Sequence, residues 1–333
     1  MTEFSLDQVP RKKFCLLPTP LSELPRLTTH LQGGNIYIKR DDLTGMGFGG
    51  NKNRKLEFLL ADALEQEADT IITEGALQSN HCLQTAACAS SLGLNCELVL
   101  SGERPKTITG NLLLDQILEV KIHRTKESKD RKKIMQKVAK ELKEQGKKPY
   151  IIPTGGSNLI GILGYVNFMR EIAEQAHQMN KDFDVLVHGS GSAGTQAGIL
   201  IGKKIYYPRI DILGISAGEP KDEIKTEIRN LVRQFECHWN TKIALKGEEI
   251  VIHEKYFGKG YGIPSKEMVE TVKLVAQLEG IFLDPVYNGK AMVGLIDLIK
   301  KNVIPKDANV LFLHSGGGPS LFASAEVFQR EVK

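Results

Sequence analysis

The chain has few cysteines, little net charge and no long apolar run. Its five cysteines (Cys15, Cys82, Cys88, Cys96 and Cys237) are odd in number and widely spaced, and none form a CxxC pair. This spacing suggests neither a disulfide framework nor a zinc site, so no metal is expected and a reducing cytoplasm is the expected location. A net charge of +4 is too mild to argue for nucleic acid. No apolar stretch reaches transmembrane length, and Met1-Thr2-Glu3-Phe4 does not open a signal peptide. Neither a nucleic-acid nor a membrane partner is therefore expected. No repeat stands out at a fixed period. What is present is ordinary globular composition, 41% hydrophobic and 25% charged, with 32 glycines, several of them clustered. With 333 residues the chain can bury a sizeable core in two domains or one large one.

Residues 1–35 carry Pro18, Pro20 and Pro25, which favour an extended leading segment over a helix. Asn35–Lys39 alternates and reads as a strand. A helix over 51–66 follows, then a strand at Thr70–Thr73 broken by Gly75, a loop and helix to Gly93, a strand at Glu97–Leu100 and a helix over 109–118. The lysine-rich segment 126–148 has one apolar stripe, Ile134, Val138 and Leu142, and interspersed glutamates make its other face a solvated one. Further strands are read at Tyr150–Pro153, Asp184–His188, Ile210–Ile215 and Val310–His314, with helices up to about 177, at 222–236 and at 265–279. Such alternation implies parallel sheets covered on both faces, with ligands bound at the loops leaving the carboxyl ends of the strands.

Two of those loops carry chemistry. In Gly49-Gly50-Asn51-Lys52 the glycines permit a tight turn, Asn51 stands at a helix cap, and Lys52 falls on the first helical turn. Leu56, Leu59, Leu60 and Leu64 then recur at helical spacing. The helix-start field and the neighbours Arg54 and Lys55 both disfavour an ammonium at Lys52. In the second loop, Gly189, Gly191 and Gly194 fit GxGxxG, which raises a nucleotide-dependent oxidoreductase as an alternative. The acidic residue that fingerprint needs at the end of the next strand is absent, because Asp211 begins that strand. Ser190, Ser192 and Thr195 instead supply hydroxyls, and Ala193 and Gly194 let backbone N–H groups converge as a cup for one phosphate. An activated lysine and a phosphate cup on one α/β scaffold together suggest pyridoxal 5′-phosphate (PLP).

At this point the chain resembles the fold type II PLP enzymes, which are tryptophan synthase β-like. It is most similar to the D-cysteine desulfhydrase and 1-aminocyclopropane-1-carboxylate (ACC) deaminase group. The likeness runs through Pro18-Thr19-Pro20-Leu21, Lys39-Arg40-Asp41-Asp42, the Gly49–Glu57 stretch, Gln78-Ser79-Asn80-His81, Gly189–Thr195, Gly260-Tyr261-Gly262-Ile263-Pro264, Asp284-Pro285-Val286-Tyr287 and His314-Ser315-Gly316-Gly317. It implies a large PLP-binding domain of residues 1–53 plus 163–333, a small α/β domain of 54–162, the cofactor in the cleft between them, and a homodimer. It makes Lys52 the Schiff-base lysine and gives Asn80 to the cofactor's 3′-oxygen. Ser190, Gly191, Ser192, Ala193, Gly194 and Thr195 would hold the phosphate. Ser79, Asn80 and His81 would receive the substrate carboxylate, Tyr261 and Tyr287 would face the substrate, and Ser315 would face the pyridine nitrogen. Asp41-Asp42 reads as a solvated or capping loop.

Two positions separate members of the group. The deaminase pattern has a glutamate directly after the second tyrosine and an apolar residue in the last glycine loop; this chain has Asn288 and Ser315. A hydroxyl at the pyridine nitrogen gives a weaker electron sink than a carboxylate, which suits expulsion of a good β-leaving group better than opening of a cyclopropane. The resemblance therefore implies an α,β-elimination on a small D-amino acid, D-cysteine first, giving pyruvate, ammonia and hydrogen sulfide. ACC deamination and L-cysteate sulfo-lysis are the alternatives. Asn288 also departs from the desulfhydrase threonine.

Overall fold

The computed structural model describes residues 4–103 and 105–329, so the Met1-Thr2-Glu3 opening lies outside the described residues. In chain order the strands are β1 (Leu21–Glu23), β2 (Asn35–Arg40), β3 (Thr70–Ala76), β4 (Asn95–Ser101), β5 (Lys121–Thr125), β6 (Pro149–Ile151), β7 (Val185–Ser190), β8 (Asp211–Ser216), β9 (Val251–His253) and β10 (Asn309–His314). They form two sheets. The six-stranded sheet runs β1-β2-β10-β7-β8-β9, with β1 antiparallel to β2 and the remaining pairs parallel. The four-stranded sheet runs β5-β4-β3-β6 and is parallel throughout. Parallel strands need crossover connections, and helices on both faces bury them. Hence Val185, Leu186 and Val187 of β7 and Val310–Leu313 of β10 are continuous apolar runs at the centre of the larger sheet.

The helices are α1 (Pro25–Leu31), α2 (Asn51–Glu65), α3 (Asn80–Ser91), α4 (Gly110–Ile117), α5 (Arg131–Glu144), α6 (Leu163–Gln178), α7 (Gly194–Tyr206), α8 (Lys221–His238), α9 (Lys266–Glu279), α10 (Asn288–Lys300) and α11 (Gly318–Ala323). The lysine-rich α5 covers the smaller sheet, packing Met135, Val138, Ala139 and Leu142 on Ile72 and Val99. Helix α2 buries Leu56, Leu59 and Leu60 in the core of the same sheet, whereas Leu64 turns out to solvent. None of the helices is long and apolar enough to cross a membrane among the described residues.

Two sequence expectations are corrected. The proline-rich lead is not wholly extended: Pro25 sits at the first position of α1, where its missing N–H costs nothing and its fixed φ suits the helix. Nor does Gly75 break β3, which continues to Ala76 paired with β4. A Cβ at Gly75 would lie 2.5 Å from Ser79 Oγ, so this glycine serves close approach to the next loop. Strands β1, β5 and β9 and helix α10 were not expected from the sequence. The first three are only three to five residues long, too short for a periodic pattern to emerge.

Candidate active site

The turn before α2 is held from several sides. Gly49 and Gly50 have φ of 74° and 139°, and Gly50 bridges Gly316 at the end of the larger sheet. Thr44 Oγ1 accepts the Gly50 N–H at 2.7 Å. A Cβ on Gly49 would run into the Asp42 carbonyl oxygen. Gly49→Ala is therefore expected to cost several kcal/mol, combining a left-handed backbone with a backbone clash; a melting curve of the purified variant checks it. Asn51 is not the cap. It is the first residue of α2, and its Nδ2 donates to Thr195 Oγ1 at 3.2 Å, tying the lysine turn to the glycine loop of α7. Gln84, from α3, supplies the acceptor instead: its Oε1 takes the N–H groups of Lys52 and Asn53, both at 3.2 Å.

Burial pushes the Lys52 amine down to about 8. This corrects the sequence argument on cause. Arg54 points away into a buried cluster with Asp41 and Glu171. Lys55 is itself depressed, by burial first and then by the charge of Lys52, and its Nζ donates to the Gly155 carbonyl at 3.0 Å. Asp41 likewise departs from the solvated reading: it is fully buried and accepts from Thr19, Arg54 and Tyr165.

Ser79 caps α3, its Oγ accepting the Cys82 N–H at 3.2 Å, which leaves the hydroxyl proton free. The N–H groups of Asn80 and His81 have no protein acceptor among the described residues. Such a first turn is a ready receptor for a carboxylate. The His81 ring does not take part: its Nε2 pairs with Thr73 Oγ1 at 2.8 Å, and burial followed by the Lys52 and Lys55 charges holds its pKa well below normal. Asn111 Nδ2 donates to Asn80 Oδ1 at 2.7 Å, so the Asn80 amide presents its NH2 outward.

The cup after β7 is also closed from a second side. Ser157 Oγ lies 2.9 Å from Ser192 Oγ and accepts the Gly194 N–H at 3.2 Å. Ala193 adopts φ 64°, the unusual backbone that turns the loop into α7. The N–H groups of Ser192, Ala193 and Thr195 have no protein acceptor, and the buried Ser190 Oγ has no partner, among the described residues. These unpaired donors suit a phosphate. Asp211 sits at the amino end of β8, exposed beside Lys203, away from the cup, so the dinucleotide fingerprint is not completed.

At the far wall, Asn288 is fully buried. Its Nδ2 donates to Asp284 Oδ1 at 2.6 Å and to the Gly316 carbonyl at 2.7 Å. Its Oδ1 accepts from Ser315 N at 2.9 Å and from Ser315 Oγ at 3.1 Å. The Tyr261 and Tyr287 hydroxyls are 2.9 Å apart. Burial drives both phenols up, and the nearby Glu219 carboxylate adds to the shift of each, so both hold their protons. Glu219 was missed from the sequence, as were Asn111, Gln84 and Ser157. Glu219 had a findable signal, standing three residues past the carboxyl end of β8 in a loop of the ligand-binding kind. The other three are placed by tertiary contacts alone.

One cleft of about 580 Å³ gathers these groups between the two sheets. It is lined by Lys52, Ser79, Asn80, His81, Ser190, Gly191, Ser192, Ala193, Thr195, Tyr261, Tyr287 and Ser315; of the expected residues only Gly194 is not on its surface. A lysine with a depressed pKa, unpaired N–H and hydroxyl donors for a phosphate, and a side-chain hydroxyl at the far wall fit PLP.

A family profile described as pyridoxal-phosphate dependent enzyme matches residues 13–316. The chain belongs to that family. The PLP enzyme is also similar to solved structures. An ACC deaminase homologue is 38% identical over 97% of this chain and 96% of the other, with a TM-score of 0.90. A PLP-dependent aspartate racemase is 16% identical, each chain covered to 90%, at 0.66. A hydrogen sulfide-producing enzyme from Fusobacterium nucleatum is 18% identical, covering 96% of this chain and 99% of that one, at 0.62. The last two speak for the fold alone. The cofactor is PLP, and the α/β fold with mostly parallel sheets flanked by helices agrees with the sequence reading.

Proposed function

We propose that this PLP enzyme is an α,β-lyase that removes a sulfur leaving group from Cβ of a small amino acid, with D-cysteine as the reference substrate. The observation that carries this reading is the Asn288–Ser315 pair: Ser315 brings a hydroxyl to the cleft, held by the Asn288 amide, where the deaminase pattern has a glutamate and an apolar residue. Lys52 would hold the cofactor, the unpaired donors of Ser190, Ser192, Ala193 and Thr195 with Ser157 would take its phosphate, and the Asn80 NH2 would serve its 3′-oxygen. When bound, PLP withdraws electrons from the substrate Cα and makes the Cα proton acidic.

The Ser79 hydroxyl and the N–H groups of Asn80 and His81 bind the substrate carboxylate, orienting Cα. With its amine near 8, Lys52 Nζ has a substantial neutral fraction at mildly alkaline pH and takes the Cα proton. Tyr261 and Tyr287, held protonated, are suited to donate to the departing sulfur and unsuited to act as bases. Residues 54–162 form the small domain and 1–53 with 163–333 the large one, with the active unit a cytoplasmic homodimer.

The test is a product assay on the PLP-loaded protein. D- and L-cysteine, L-cysteate and ACC are offered in turn, and pyruvate, 2-oxobutyrate, sulfide and sulfite are measured. Pyruvate with a sulfur product is expected; 2-oxobutyrate from ACC as the dominant product would replace elimination by ring opening. The ACC deaminase homologue supports keeping that second reading in the panel.

A further inference from the structure

The cleft does not end at the residues assigned above. Its lining continues along the smaller sheet to Ser101, the last residue of β4, to Ser128 in the turn before α5, and to Arg131, the first residue of α5. The Arg131 guanidinium is gripped on one edge only: Nε donates to the Ser128 carbonyl at 3.1 Å and faces Glu74 Oε2 at 3.8 Å. Its two terminal nitrogens have no hydrogen-bond partner among the described residues, nor do the hydroxyls of Ser101 and Ser128. Arg131 and Tyr261 line the same cleft.

The other charged groups of the lining do not cancel it. Lys52 is taken up by the cofactor and His81 is held neutral. Glu219 sits on the Gly191–Tyr287 side, under the influence of Lys290, with its own carboxyl raised by burial. Glu74 does not line the cleft; its Oε1 is bound to Thr154 Oγ1 at 2.6 Å, and its Oε2 pairs with the Nε edge of Arg131 from behind, which holds the guanidinium with its terminal nitrogens unengaged. What remains is a fixed guanidinium presenting two free nitrogens, flanked by two free hydroxyls. That donor set matches a carboxylate or a sulfonate, which accept paired hydrogen bonds from a planar fork.

We propose that Arg131, with Ser101 and Ser128, forms a subsite for an anionic group on the substrate's Cβ, so that the preferred substrate carries a sulfonate leaving group there and amino acids with a carboxylate there bind as inhibitors. This rests on the lyase reading and narrows its substrate class. With cysteate, the Cα proton passes to Lys52 Nζ and the C–S bond breaks with its electron pair leaving on sulfite. Water then completes release of pyruvate and ammonium. Arg131 takes up the charge of the departing group, so this leaving group needs no proton from a tyrosine.

The experiment compares anionic and neutral molecules on the PLP-loaded enzyme: cysteate against cysteine by KM, and the near-isosteric pair aspartate against asparagine by competitive inhibition and by calorimetric binding, each in both enantiomers. The wild type is expected to favour the anionic member of each pair about tenfold or more, as charge-assisted hydrogen bonds do. Arg131→Gln is expected to bring that ratio close to one, and Arg131→Lys to restore part of it. The bound cofactor's visible absorbance and a melting curve report that each variant is loaded and folded. A wild-type ratio near one, or a ratio unmoved in Arg131→Gln, overturns the subsite while leaving elimination standing. Failure of the wild type to take up PLP, or to release any keto acid from the panel, overturns both.

Discussion

Lys52→Ala is expected to lose the visible absorbance of lysine-bound PLP and to lower turnover by at least about 10³-fold, within the range that positioned general bases contribute. Two jobs disappear together, the covalent anchor and the base for the Cα proton. In the wild type, rate should rise with pH and level off above about 8, because the amine must be neutral to accept a proton and burial places its pKa there. The variant should lack that limb. Lys55 is the internal control. It lies almost one turn further along α2, more deeply buried, and its Nζ is committed to the Gly155 carbonyl. An absorbance band that persists in Lys52→Ala would move the anchor to Lys55 and overturn the assignment.

The parts of this site that could be read from the sequence are those fixed by local geometry. Paired glycines before a lysine, and a strand running into Gly189–Thr195, specify turns whose backbone must approach a ligand, and both line the same cleft. The β-α alternation implied the parallel sheets for the same local reason. What escaped was placed by distant chain: Asn111 behind Asn80, Gln84 over the start of α2, and Ser157 beside Ser192. Spacing cannot report a side chain that arrives from another element. The lysine's pKa shows the limit clearly. Sequence neighbours suggested repulsion from Arg54, yet Arg54 turns the opposite way and burial does the work.

Arg54→Met is expected to destabilise the fold by about 3–5 kcal/mol, as when one member of a buried ion cluster is removed. The melting temperature should fall by about 5 °C. Arg54 is fully buried, two residues past Lys52. Its guanidinium donates to both oxygens of Asp41 at 2.8 Å and to both oxygens of Glu171 at 2.9 Å, joining the turn after β2 to α2 and α6. Methionine fills the space but leaves Asp41 with only hydroxyl donors, Thr19 and Tyr165, and Glu171 with Lys39 as its remaining cation. The same cluster sets an acid limb. Burial alone would raise the Glu171 carboxyl, but the hydrogen bonds and charge of Arg54, with Lys39, outweigh it and hold the pKa at about 2 instead of 4.5. A depressed carboxylate stabilises the fold above its unfolded pKa, and that contribution drains away as pH falls from about 4.5 towards 2. Denaturant titrations across this window should show the wild type losing stability steadily, with a smaller slope in Arg54→Met, whose Glu171 has lost its main partner. Equal stability of the two proteins at pH 7 would mean that desolvation cancels the attraction within the cluster, and that its role lies in aiming α2 and Lys52 rather than in holding the fold.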